Sequence, residues 1–157
     1  MTASKSLALI FIIQALLATF SIPLTRCRSS PRNDNALITS TYITGLGLIM
    51  VQVMKAKAND ATNKINQLLR ASTDPKQKQA LSSCADKYKA VLVADVPMAV
   101  EALQKGDPKF AEEGANDAAI EANSCEQDFA GKSPLTSYNN AMHDVATVAA
   151  AIVRNLL

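Results

Sequence analysis

Three dipeptides constrain this chain more than any other feature: Asp74-Pro75, Asp107-Pro108 and Ser133-Pro134. Each pairs a helix-capping side chain with proline at the first helical position, where a missing N–H leaves no bond unmade and the fixed φ already suits a helix. Gln77, three residues after Asp74, adds a capping-box partner. Helices are therefore expected to start at 75, 108 and 134. After each start, apolar residues recur at helical spacing. Ala111, Ala115, Ala118, Ala122, Cys125 and Phe129 draw a seam along a helix over 108–130. Tyr138, Met142, Val145, Ala149, Ile152 and Leu156 carry another seam to the end of the chain. Leu81, Cys84, Tyr88 and Val91 follow the same steps until Asp95 and Pro97 interrupt them, and Pro97 is expected to kink or divide a helix over 75–104. Upstream, Leu46, Met50 and Val53, then Ala58, Ala61, Ile65 and Leu68, define a helix over 42–70 with a change of phase near Lys55 and Lys57.

Four such helices, joined near 71–74, 105–107 and 130–133, can bury their seams only against one another. The expected fold is all-α, an up-down-up-down four-helix bundle over residues 42–157. A chain that is 48% apolar but only 4% aromatic, with no Trp and recurrent Ala, suits thin, closely packed helices better than sheets. Residues 22–41 differ, with Arg26, Arg28, Arg32, two prolines and a polar stretch, and are expected to be a truncated or irregular, poorly packed extension. Ahead of them, Lys5 and the uncharged run from Leu7 to Phe20 read as a signal peptide over residues 1–21. That run is too short to span a membrane, and no second long apolar stretch is expected, so the product is read as secreted and free of the membrane once the signal is cleaved. Export favours a disulfide among Cys27, Cys84 and Cys125, for which spacing alone allows three pairings. A hairpin turning at 105–107 sets position 125 level with about 85–88, which selects Cys84 with Cys125 and leaves Cys27 an unpaired thiol.

Little in the sequence supports chemistry. Sixteen basic against fourteen acidic side chains give a net charge of +2, with no footprint for nucleic acid. The cysteines are widely spaced and His143 is the single histidine, so neither a metal site nor a cofactor is expected. His143 and Asp144 are neighbours on one helix, their side chains about 100° apart, and are not expected to pair as a base and its orienter. Glu112, Glu113, Asp117 and Glu121 read as a solvated acidic face. Gly45-Leu46-Gly47 holds a fragment of a dinucleotide fingerprint without its strand or third glycine. No catalytic residue is assigned, which points to a binding or interaction module.

Asp107-Pro108-Lys109-Phe110-Ala111-Glu112-Glu113, Ser124-Cys125-Glu126 and Pro134-Leu135-Thr136, with Gly45-Leu46-Gly47-Leu48, Ser83-Cys84-Ala85-Asp86-Lys87-Tyr88 and Ala141-Met142-His143-Asp144-Val145, resemble the plant invertase and pectin methylesterase inhibitor family over 45–157. The resemblance implies a four-helix bundle with a disulfide between its second and third helices. It implies that Pro108, Lys109 and Phe110 enter the active-site cleft of an acid invertase and block sucrose, with the inhibitor delivered to the apoplast, cell wall or vacuole. The alternatives within the resemblance are an inhibitor of pectin methylesterase and a non-inhibitory helical relative. One departure stands out. The family's N-terminal α-hairpin has its own pair of cysteines, whereas here Cys27 alone precedes Gly45.

Overall fold

A computed structural model describes residues 31–130 and 132–157; the expected signal peptide over 1–21 and Cys27 lie outside them. Asn35–Leu157 forms a compact unit that carries the fold. The helices are α1 (Pro31–Ala71), α2 (Pro75–Ala90), α3 (Val96–Lys105), α4 (Pro108–Gln127) and α5 (Thr136–Arg154), with a π-helical turn over Val91–Asp95 joining α2 to α3. Because α2, the π-turn and α3 keep right-handed helical backbone throughout, they form one continuous rod, and the architecture is the expected four-helix bundle.

Helix starts follow the Asx/Ser-Pro signals with three differences. The Asp74 carboxylate accepts the Lys76 N–H at 3.0 Å, as a capping residue should. Gln77, however, turns to Ser72, whose hydroxyl donates to it at 2.5 Å. Asp107 precedes α4 but its side chain caps no amide. At the third start, the Leu135 N–H donates to the Ser133 hydroxyl at 3.0 Å, and regular α-helix begins two residues later than expected, at Thr136. As expected of Pro97, regular α-helix is interrupted just before it, by the π-turn that separates α2 from α3. Pro97 has no N–H to give to the carbonyl one turn back, and the widened turn before it absorbs that mismatch, with the Val96 N–H reaching the Val91 carbonyl.

Helix α1 begins at Pro31, so part of the segment expected to be irregular is helical, although residues 35–42 all remain exposed. Its buried stripe runs Gly47, Val51, Met54, Ala58, Ala61 and Ile65 in unbroken steps of four and three. No change of phase occurs. The expected stripe was one residue out of register at its start because Gly47 does not count as apolar. It is the point where α1 comes closest to its neighbours: a Cβ there would stand 3.2 Å from Val153 Cγ2 and 3.3 Å from Leu103 Cδ1. Contrary to the expectation of no second long apolar stretch, α1 between Asp34 and Ala71 is long and apolar enough to cross a membrane by length and composition. Val51, Met54 and Ile65 of this helix are nonetheless fully buried within the bundle.

The expected seam of α4 is fully buried from Ala111 through Cys125, while Phe129 is only partly so. On α5 the buried face runs Leu135, Asn139, Met142, Ala146, Ala149 and Val153, sharing only Met142 and Ala149 with the expected stripe. A disulfide joins Cys84 of α2 to Cys125 of α4, with the Cα atoms 4.8 Å apart.

Candidate interaction site at the start of helix α4

Helix α3 stops because Gly106 takes a left-handed conformation (φ 75°) that a side chain would resist, and its N–H closes on the Ala102 carbonyl. The Asp107 N–H bonds the same carbonyl at 2.8 Å, completing a sharp reversal. Pro108 then opens α4 with a fixed φ. Within one turn the burial pattern separates anchor from tip. Pro108 is half-buried, Lys109 and Phe110 are exposed, and Ala111 is fully buried. Phe110 is 50% exposed.

The tip is anchored from three sides. Glu112, one turn into α4, is clasped by Arg154 of α5, whose Nε donates at 2.7 Å. Gly114 lets α4 approach the π-turn so closely that a Cβ would stand 2.7 Å from the Asp95 carbonyl oxygen. At the far end, the disulfide and an ion pair between Lys87 and Asp128 at 2.8 Å tie α4 to α2. A buried polar chain adds α5 to this frame. The Tyr88 hydroxyl donates to Asn139 Oδ1 at 2.8 Å, and Asn139 Nδ2 donates to Glu126 at 2.7 Å. Burial, then the Glu126 carboxylate, push the Tyr88 phenol upward, so it stays a hydrogen-bond donor.

An open groove of about 550 Å³ runs beside the tip between α3 and the start of α4. Ala94, Met98, Ala102 and Phe110 supply its apolar wall, and Glu101, Lys105 and Asp107 its charged edge. Glu101 and Lys105 are bonded to each other, which holds the Glu101 carboxyl below and the Lys105 ammonium above their ordinary values, first through the hydrogen bond and then through charge. Lys109, by contrast, makes no hydrogen bond or ion pair among the described residues. The tip thus presents one uncommitted cation and one exposed aromatic ring on a short, well-braced turn.

The other sequence candidates fall elsewhere. His143 and Asp144 do meet, at 3.3 Å, because their side-chain torsions overcome the angular separation expected to keep them apart. Both are open to solvent, where such a pair contributes little. Of the four acids expected to face water, Glu113 and Asp117 do so, Glu121 is partly buried, and Glu112 is paired with Arg154. Among the described residues no set of three or more His, Cys, Asp or Glu is arranged to hold a metal ion. Sequence reasoning missed Gly114, Asp95, Asn139 and the groove. Only Asp95 left a trace, as a charge interrupting an apolar seam.

The described residues form a disulfide-locked helical bundle with a basic-aromatic tip at the start of α4. Residues 25–152 match the family described as plant invertase/pectin methylesterase inhibitor, and the chain belongs to that family. It is 40% identical over 133 residues to the cell wall / vacuolar inhibitor of fructosidase 1 of Arabidopsis thaliana, covering 85% of this chain and 62% of that protein. The chain thus spans less than two thirds of the relative's length. The crystal structure of a pectin methylesterase inhibitor from Arabidopsis thaliana superposes with a TM-score of 0.67 at 20% identity, over 73% of this chain and 78% of that one. A mutant form of a pectin methylesterase inhibitor from Arabidopsis does so at 0.66 and 22%, over 76% and 83%. At these identities the two structures speak for the fold.

Proposed function

We propose that this protein is a secreted inhibitor of plant acid invertase, acting in the cell wall or vacuole, and that it inserts Pro108, Lys109 and Phe110 into the sucrose-binding cleft of the enzyme. It catalyses nothing itself. The observation that carries the reading is the exposed, uncommitted pair Lys109 and Phe110 on a turn whose next residue, Ala111, is fully buried. The sequence relation to an inhibitor of fructosidase supports invertase as the target.

Glycoside hydrolysis depends on a pair of carboxyl groups. An ammonium at Lys109 and the partial positive charge of the α4 N-terminus complement such a cleft. The Phe110 ring offers the kind of apolar anchor that dominates protein interfaces, and Pro108 fixes the backbone that presents both. Pre-organisation is the scaffold's contribution, because the braced turn loses little freedom on binding. Inhibition then follows from occlusion alone.

Titration of the purified protein against acid invertase, with pectin methylesterase alongside, tests this. The native chain is expected to inhibit invertase, and Lys109→Ala or Phe110→Ala to weaken inhibition by roughly 10- to 100-fold, the loss of one central contact. Inhibition of pectin methylesterase alone would move the protein to the family's other target. No inhibition of either enzyme would make it a non-inhibitory relative, and full inhibition by both variants would reject the tip as the contact.

A further inference from the structure

Two polar side chains lie in the core of the bundle, Asp95 and Asn139. Asn139 is bonded on both sides, to Tyr88 and Glu126. Asp95, which closes the π-turn and is only 8% exposed, has one carboxyl oxygen, Oδ2, with no hydrogen-bond partner. The charged groups acting on it, Asp117 and Glu121, come from α4 and are carboxylates themselves. Three cations of the bundle are paired with other carboxylates: Lys87 of α2 with Asp128, Lys105 of α3 with Glu101, and Arg154 of α5 with Glu112. His143 of α5 is paired with Asp144.

The same residue meets α4 at a close approach. Gly114 lies against the Asp95 carbonyl, with room for no Cβ, and Asp117 follows it by three residues on the same helix. A carboxylate here would be buried, short of one partner and opposed by two like charges, whereas a carboxylic acid is neutral and carries a donor hydrogen.

We propose that the Asp95 carboxyl is a proton-operated latch between the π-turn and α4: protonated, it lets the two pack together, and ionised, it works against that contact. Burial first, then Asp117, then Glu121, push its pKa up from 3.8 to about 6. Because the folded chain holds this proton more tightly than the unfolded chain does, the stabilisation is complete below the unfolded value of 3.8. It is lost as pH rises through about 6. The full swing weights the folding equilibrium by roughly a hundredfold. Since α4 carries Pro108, Lys109 and Phe110 on its first turn, the latch also governs how firmly the tip is held. That consequence rests on the inhibitor reading, while the latch itself does not.

Urea unfolding of the full chain, disulfide intact, from about pH 4 to about pH 8 tests it. Relative to Asp95→Asn, the native protein is expected to lose roughly a hundredfold in folding equilibrium across that range, with the Asn variant's profile correspondingly flatter. Should Asp95→Asn fail to fold, the pair Asp117→Asn with Glu121→Gln keeps Asp95 and removes the charges opposing it. Its pH-dependent loss is then expected to be smaller than that of the native chain. Parallel profiles for the native chain and Asp95→Asn, or an undiminished loss in the paired variant, would overturn the latch. Invertase inhibition measured on the same samples separates the two ideas: its absence at every pH rejects the inhibitor reading and leaves the unfolding profiles to judge Asp95.

Discussion

Alanine placed at Gly114 and at Gly45 should move the stability of the bundle in opposite directions, although both glycines lie inside helices. In a helix interior, replacing Gly by Ala gains about 0.5–1 kcal/mol, largely by restricting the unfolded chain. At Gly45 no atom stands within 4 Å of the new Cβ, so the gain is realised in full. At Gly114 the Cβ meets the Asp95 carbonyl oxygen at 2.7 Å, Met98 Cε at 3.2 Å and Ala99 Cβ at 3.3 Å. The methionine can swing aside, but the carbonyl belongs to the backbone of the π-turn and yields only if α4 retreats. Overpacking of this kind costs about 1–3 kcal/mol. Set against the same helical gain, the net loss is about 0–2.5 kcal/mol. Thermal unfolding of the three proteins at one pH reads the difference, at roughly 2–8 °C per kcal/mol for domains of this size range. The retreat of α4 also reaches its first turn, so Gly114→Ala should inhibit the target more weakly and Gly45→Ala should not. A Gly114→Ala protein that gains stability alongside Gly45→Ala would refute the reasoning, because it would mean that the spacing between α4 and the π-turn has slack.

Two further substitutions probe the frame that holds the tip. Replacing Cys84 and Cys125 together by alanine opens a link of sequence separation 41, whose closure is worth about 4 kcal/mol in the chain-entropy model. Urea midpoints at unchanged slope should fall accordingly, and a loss below about 1 kcal/mol would show that packing alone holds α2 to α4. Tyr88→Phe keeps the ring in the core but leaves the buried Asn139 oxygen without its donor, for an expected loss of about 1–3 kcal/mol in the same assay. A loss under about 0.5 kcal/mol would mean that Asn139 finds another donor.

What the sequence made legible and what it hid divide along physical lines. Proline at a helix start acts locally, through its own φ and its missing N–H, so starts at Pro75 and Pro108 are readable from neighbours in the chain. The Ala seam of α4 is readable because a helix that buries small residues leaves the same mark whatever it packs against. Register on α1 and α5 is harder, since it depends on which partner stands opposite. Gly47 is buried because Leu103 and Val153 approach it, and Asn139 because Tyr88 and Glu126 satisfy it, and no apolar pattern records either fact. The tip follows the same division. That Pro108 begins a helix was plain, but whether Phe110 closes the end of the core or stands outside it turns on a rotation of one residue, about 100°. The fully buried Ala111 uses the inward position, and the ring beside it is left half in water. With about half of its surface in water, Phe110 gains less from folding than a core ring would, and the remaining apolar surface is what the proposed contact would bury.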